Sequence, residues 1–208
     1  MTLFSPEAAQ FFAGIAEDNS KSYFDEHRAV YTSAIRQPLE DLLAEAEETY
    51  GPGRIMRPNR DVRFSANKAP YRTDAAMWAG AVGGVYLNVS ANGLEAGGGL
   101  YAPSRDQLER ARTAIDSRPL VATQLSGILA KLKGAGFTIA GPSLTTAPKG
   151  YDRDHPAIEL LRLKHFAGLR TLPGDASADD IRETWTLVKP LIEWCDTVVG
   201  PALDLRNR

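Results

Sequence analysis

The sequence predicts an α+β protein, a single domain over residues 1–208 in which an antiparallel sheet carries helices mainly on one face. Three observations predict it. Asn92-Gly93, a dipeptide suited to the two positive φ values of a tight hairpin turn, lies between two runs that alternate in polarity. Stripes of apolar residues at helical spacing occur on both sides of that hairpin. Strands and helices do not alternate regularly, as a doubly wound parallel sheet would require.

The hairpin is the firmest element. Pairing outward from Asn92-Gly93, with strands Gly84 to Ala91 and Leu94 to Tyr101, sets Ala91 opposite Leu94, Val89 opposite Ala96, Leu87 opposite Gly98 and Val85 opposite Leu100. One face is then apolar or glycine throughout, an agreement that a one-residue slip would destroy. The reverse face carries Tyr86, Asn88, Ser90, Glu95 and Tyr101 over Gly97 and Gly99. The Gly97-Gly98-Gly99 run either lets a ligand lie across the sheet or forms a bulge or bed for another element. An earlier strand runs from Ala75 to Val82.

The helices follow from their start and stop signals. Ser5-Pro6-Glu7 opens the first, with Phe11, Phe12 and Ile15 inward. A second starts at Asn19-Ser20 with Phe24, His27, Tyr31 and Ile35 on one stripe, and Pro38 ends or kinks it. Leu39, Leu42, Leu43 and Ala46 line a third, before the turn Gly51-Pro52-Gly53. Ser104 with Gln107 forms a capping box for the next helix. Pro119 starts another, which Gly134 ends; short strands are expected over Phe137 to Gly141 and Arg162 to Phe166. The last helix begins at Ser177 and Asp180, and Pro190 kinks it. It carries Cys195 inward as core packing.

Composition narrows the function. A net charge of -2 argues against general DNA binding, and no window approaches the ~20 apolar residues of a membrane span. The amino terminus carries no basic leader followed by an apolar run, so a cytoplasmic protein is expected. One cysteine excludes an internal disulfide and a thiolate-rich metal site.

Against that balance, Arg60 to Arg72 sets four cations, Arg60, Arg63, Lys68 and Arg72, against one carboxylate, Asp61. Read as a strand from Arg60 to Ser65, it turns Val62 and Phe64 toward a core and Arg63 toward a polar face. Pro70 breaks the strand and leaves Lys68, Tyr71 and Arg72 on a loop and its exit. Arginine forks suit carboxylate or phosphate oxygens. Pairing with the chain's own carboxylates is the structural alternative. A second dense stretch, Lys149-Gly150-Tyr151-Asp152-Arg153-Asp154-His155, is too polar for regular structure. His155 beside two aspartates is the candidate acid or base, while the aspartates equally form turns. Asp152, Asp154 and His155 also suit a divalent ion, but His27 and His165 lie in unrelated patterns and no metal is expected.

The motif Arg60-Asp61-Val62-Arg63-Phe64-Ser65 with Lys68, Pro70, Tyr71 and Arg72 resembles that of the family catalogued as domain of unknown function 2461. Gly98-Gly99 with Tyr101 and Pro103, Pro148-Lys149-Gly150-Tyr151-Asp152 with His155-Pro156, and Leu161-Arg162-Leu163-Lys164 are similar to its later motifs in the same order. Tyr23-Phe24 stands where the family often has tryptophan-phenylalanine. The resemblance implies no reaction and no cofactor.

The expected function is binding of a small anionic, phosphate-bearing ligand on the glycine-floored face or its rim. Arg63 and Arg72 clamp oxygens, Lys68 and Lys149 neutralise charge, and Tyr86 and Tyr101 pack on an organic moiety, with Arg60, Tyr71 and Tyr151 adjoining. The alternatives are an enzyme using His155 with the cations stabilising an oxyanion or phosphoryl group, and a protein or nucleic-acid interaction module.

Overall fold

Pro6 at the first helical position presets the backbone of α1 (Pro6–Glu17), and Ala8, Phe11, Phe12 and Ile15 bury one face of it. A computed structural model describes residues 2–203; residues 1 and 204–208 of the domain expected over 1–208 lie outside the described residues. Ser20 accepts the Tyr23 N–H and caps α2 (Lys21–Glu26), while His27 closes that helix instead of continuing its stripe. From α3 (Arg28–Val30) the chain runs through a π-helical segment (Tyr31–Arg36) into α4 (Gln37–Tyr50). Pro38 therefore does not end the helix. The Gln37 N–H already reaches back five residues to Thr32 O, and proline's missing donor falls where the bonding pattern changes. Phe11 packs edge-on against Phe12 and Phe24, so this helical layer is held by aromatic burial, about 1.5–3 kcal/mol per ring.

The strands are β1 (Gly53–Ile55), β2 (Asp74–Gly80), β3 (Gly84–Ser90), β4 (Gly93–Leu100), β5 (Thr138–Ile139) and β6 (Phe166–Leu172). They form one antiparallel sheet in the order β1-β2-β3-β4-β6-β5, an α+β architecture. Its edges are registered by Gly53 opposite Ala79 and by Thr138 opposite Leu169. The other helices are α5 (Arg105–Ser117), α6 (Pro119–Gly134), α7 (Ile158–Leu161) and α8 (Ala178–Trp194), which continues as a π-helical segment (Cys195–Val199). The Ser104–Gln107 capping box forms, with each side chain bonded to the other residue's backbone N–H. None of the helices among the described residues is long and apolar enough to cross a membrane.

The chain divides into two compact units, neither continuous in sequence. The first comprises 1–80, 86–96 and 171–184; the second comprises 81–85, 97–170 and 185–208.

The hairpin turns one residue earlier than the pattern predicts. Ala91-Asn92 make the turn, Gly93 alone has a positive φ (+111°), and Asn92 does not. Both partners move together, so parity survives and Val85, Leu87, Val89, Leu94 and Ala96 are all buried. The glycine run is a bed, not a floor for a ligand. A Cβ on Gly97 or Gly99 would collide with the backbone carbonyl oxygens of Gly168 or Phe166 in β6. One on Gly98 would stand 2.5 Å from Gly84 O and close to Val188 and Ile192 of α8. The strand expected over Arg162 to Phe166 begins instead at Phe166, because buried Phe166-Ala167-Gly168 shows no alternation to betray it.

Candidate functional site

The arginine-rich segment is a loop with a braced neck, and the strand expected from Arg60 to Ser65 does not form. Met56 N–H makes a last bond to Ala76 O, after which the chain leaves the sheet. Arg60 N–H donates to Pro70 O and Arg72 N–H to Pro58 O, both at 2.8 Å, so a single bridge at Asn59 and Tyr71 closes the excursion. Pro58 and Pro70 supply carbonyls but no donors, which prevents a longer ladder. Asn19 braces this neck. Its Oδ1 accepts the Tyr71 N–H at 2.8 Å, and its Nδ2 donates to Tyr71 O at 3.1 Å and Ile15 O at 3.2 Å. The buried Tyr71 ring stacks on Phe24 at 4.3 Å, an anchor for the loop. At the tip, Ser65 N–H bonds Val62 O in a turn, and Lys68 Nζ donates to the same carbonyl at 3.0 Å. Phe64, expected in the core, is 97% exposed, because the turn at 63–64 lifts it away from any packed element.

Beside the neck lies a hollow of about 350 Å³ lined by Met56, Arg57, Asn59, Arg60, Asp61 and Arg72. Three arginines and one aspartate line it, and the carboxylate of that aspartate is engaged. Arg63 Nη2 donates to Asp61 Oδ2 at 2.7 Å and Nε to Oδ1 at 3.0 Å. These bonds, then the Arg63 backbone N–H and the nearby Arg57 charge, hold the Asp61 carboxyl below its usual range, and the side-chain bond to Asp61 raises the Arg63 guanidinium. Arg72 Nη2 bonds Asp74 Oδ2 at 2.7 Å, and Asn88 Nδ2 bonds the same oxygen at 2.5 Å. Asn88 is in turn bonded to Tyr86, whose phenol is pushed up chiefly by burial. Arg72 Nε is buried with no acceptor among the described residues. Arg57 and Arg60 make no ion pair with any described residue.

The other expected residues belong to the second unit. Lys149 is exposed, and Gly150 turns the chain at φ +93° between Pro148 and half-buried Tyr151. Asp152 Oδ1 accepts the Asp154 N–H at 3.0 Å, the turn-forming role open to these aspartates. His155 Nδ1 accepts the Ala157 N–H at 3.0 Å, which puts the ring proton on Nε2, 3.2 Å from Asp116 Oδ1. Both nitrogens thereby have partners, Nδ1 at the start of α7 and Nε2 on Asp116 of α5. Tyr101 is exposed, its ring tilted on His165 at 5.2 Å and its carbonyl bonded to His165 Nδ1. Among the described residues, no three His, Cys, Asp or Glu side chains group in a way that could hold a metal ion.

A family model described as conserved hypothetical protein (DUF2461) matches residues 7–194. The chain belongs to that family. Neither a curated protein nor a solved structure matches it. The DUF2461 match spans both the arginine loop and the His155 loop.

Sequence reasoning overlooked Arg57 and Asn59 in the hollow and Asp74 behind Arg72, and placed Asn88 on the ligand-facing side of the hairpin without its link to Asp74. A signal for Arg57 exists. Arg54, Arg57, Arg60 and Arg63 recur at every third position, a spacing that aligns side chains on one edge of an extended, proline-bearing chain.

Proposed function

We propose that the protein binds a small anionic, phosphate-bearing ligand in the hollow beside the loop neck, with Arg57, Arg60 and Arg72 as its donors. The supporting observation is Arg72. One edge of its guanidinium is fixed by Asp74, while its Nε is buried without an acceptor. The side chain as a whole is 38% exposed beside the hollow, so its outer N–H donors, and not the buried Nε, are the ones an anion there would use. Arg57 and Arg60 add unpaired charge, and with Asp61 already held by Arg63 the lining keeps a net positive field. Asp74, gripped also by Asn88, sets the Arg72 fork before a ligand arrives. Lys68 closes the loop, and Arg63 keeps the Asp61 carboxylate occupied. All of these groups belong to the first unit, whereas Tyr101, Lys149, Tyr151 and His155 belong to the second.

Calorimetric titration with inorganic phosphate and pyrophosphate at low salt tests this. Binding should weaken at least about tenfold in Arg72→Ala and in Arg60→Ala, the loss of one charge-assisted bond each. Unaltered affinity in both variants, or no binding by the wild type, overturns the proposal.

A further inference from the structure

The loop that carries the arginines also presents a phenyl ring to solvent. Phe64 is 97% exposed, and the Arg63 guanidinium sits 6.0 Å from its centroid. Only two residues separate Phe64 from Asp61 in the hollow's wall, so their Cα atoms lie within about 11 Å. Loop length and the braced neck therefore keep one open aromatic face within a small molecule's reach of three guanidiniums. Inorganic phosphate or a simple sugar phosphate would use the arginines and leave the ring idle.

We infer that the ligand is a nucleoside phosphate, its phosphate in the hollow on Arg57, Arg60 and Arg72 and its base stacked on Phe64. This rests on the anion-binding reading of the hollow. A base has a planar π-face for an aromatic platform whatever its edge carries, and stacking of this kind tolerates any base. Arg63, paired with Asp61, lies over the ring and adds a cation to one side of the platform. The same chemistry is offered by a free nucleotide and by a unit of a single strand. The chain's net charge of -2 supplies no long-range attraction to a polyanion, so the free nucleotide is the expected source.

The test titrates the full chain with adenosine monophosphate, ribose monophosphate and a short single-stranded oligoadenylate. Adenosine monophosphate should bind about tenfold or more tighter than ribose monophosphate, the usual worth of one base stacked on one aromatic ring. Phe64→Ala should erase that advantage and leave ribose monophosphate affinity unchanged; Phe64→Trp should keep it. The ring touches no core, so the variants fold as the wild type does. Equal affinities in the wild type, or an advantage that survives in Phe64→Ala, overturn the stacking inference while Arg60-dependent phosphate binding stands. Failure of every phosphate probe overturns both readings. Oligoadenylate binding tighter than the mononucleotide, with the same Phe64 dependence, supports the shared chemistry and makes the strand its source.

Discussion

A methyl group on Gly97 would drive into the Gly168 carbonyl of β6, whereas one on Gly127, midway along α6, meets nothing within 4 Å. The obstacle at Gly97 is backbone, which cannot turn aside as a side chain can. Gly97→Ala should therefore destabilise the fold by about 3 kcal/mol or more, through overpacking that a neighbouring strand must absorb. Gly127→Ala should stabilise it by about 0.5–1 kcal/mol, because alanine loses less conformational freedom in a helix interior. Urea midpoints of the two variants check both, and equal midpoints would sink the account of the glycine bed. Cys195 obeys the same local logic. Burial pushes its thiol up to about 12, and its Sγ–H rests 3.6 Å from Phe166 O in the packed core.

Among the elements, the loop neck has the least redundancy. One bridge closes it, and the Asn19 amide supplies three bonds that hold it to α1 and to the Tyr71 backbone. Asn19→Ala should cost about 2–3 kcal/mol by thermal unfolding and expose the Tyr71 amide to hydrogen exchange, since a part-buried N–H and carbonyl lose their partner together. Unchanged exchange at Tyr71 would mean the bridge alone holds the neck. The elements read correctly from the sequence are those whose signal is local. Ser104 and Gln107 cap α5 with bonds made three residues apart, and the hairpin faces depend only on parity. The elements misread have a distant cause. The alternation from Arg60 to Ser65 looks like a strand, but no partner remains once β1 ends at Ile55. The π-helical turns at 31–36 and 195–199 carry the same spacing of apolar residues as α-helix. Arg60 and Arg72 were legible as binding candidates from charge density alone. That Arg63 is spent on Asp61 while Arg57 pairs with no described residue depends on how the loop folds over its own neck.

At the scale of the whole molecule, stability should decline on both sides of neutrality for different reasons. Asp106 is held far below its ordinary value by the Ser104 hydroxyl, the Leu203 N–H and Arg110, Glu45 is lowered by Arg182, and Asp61 by Arg63. A carboxyl lowered in the folded state adds stability above its unfolded value of about 4, and that stability is lost as pH falls through the folded value. Acid should therefore destabilise the first unit through Asp61 and Glu45 and the second through Asp106. On the alkaline side the groups are raised. Burial lifts Cys195, Tyr31, Tyr50 and Tyr86, so their contribution is complete below the unfolded values of about 8.5 and 10 and is lost as pH climbs through the raised ones. Salt separates the two limbs. Exposed ion pairs such as Glu45–Arg182, each side chain nearly half open to solvent, are screened, while desolvation of a buried thiol or phenol is not. Thermal unfolding from about pH 3 to about pH 11 should thus give an acid limb that flattens in high salt and in Asp106→Asn, and an alkaline limb that salt leaves in place. An alkaline limb that salt abolishes would mean that pairing, not burial, governs those phenols and that thiol.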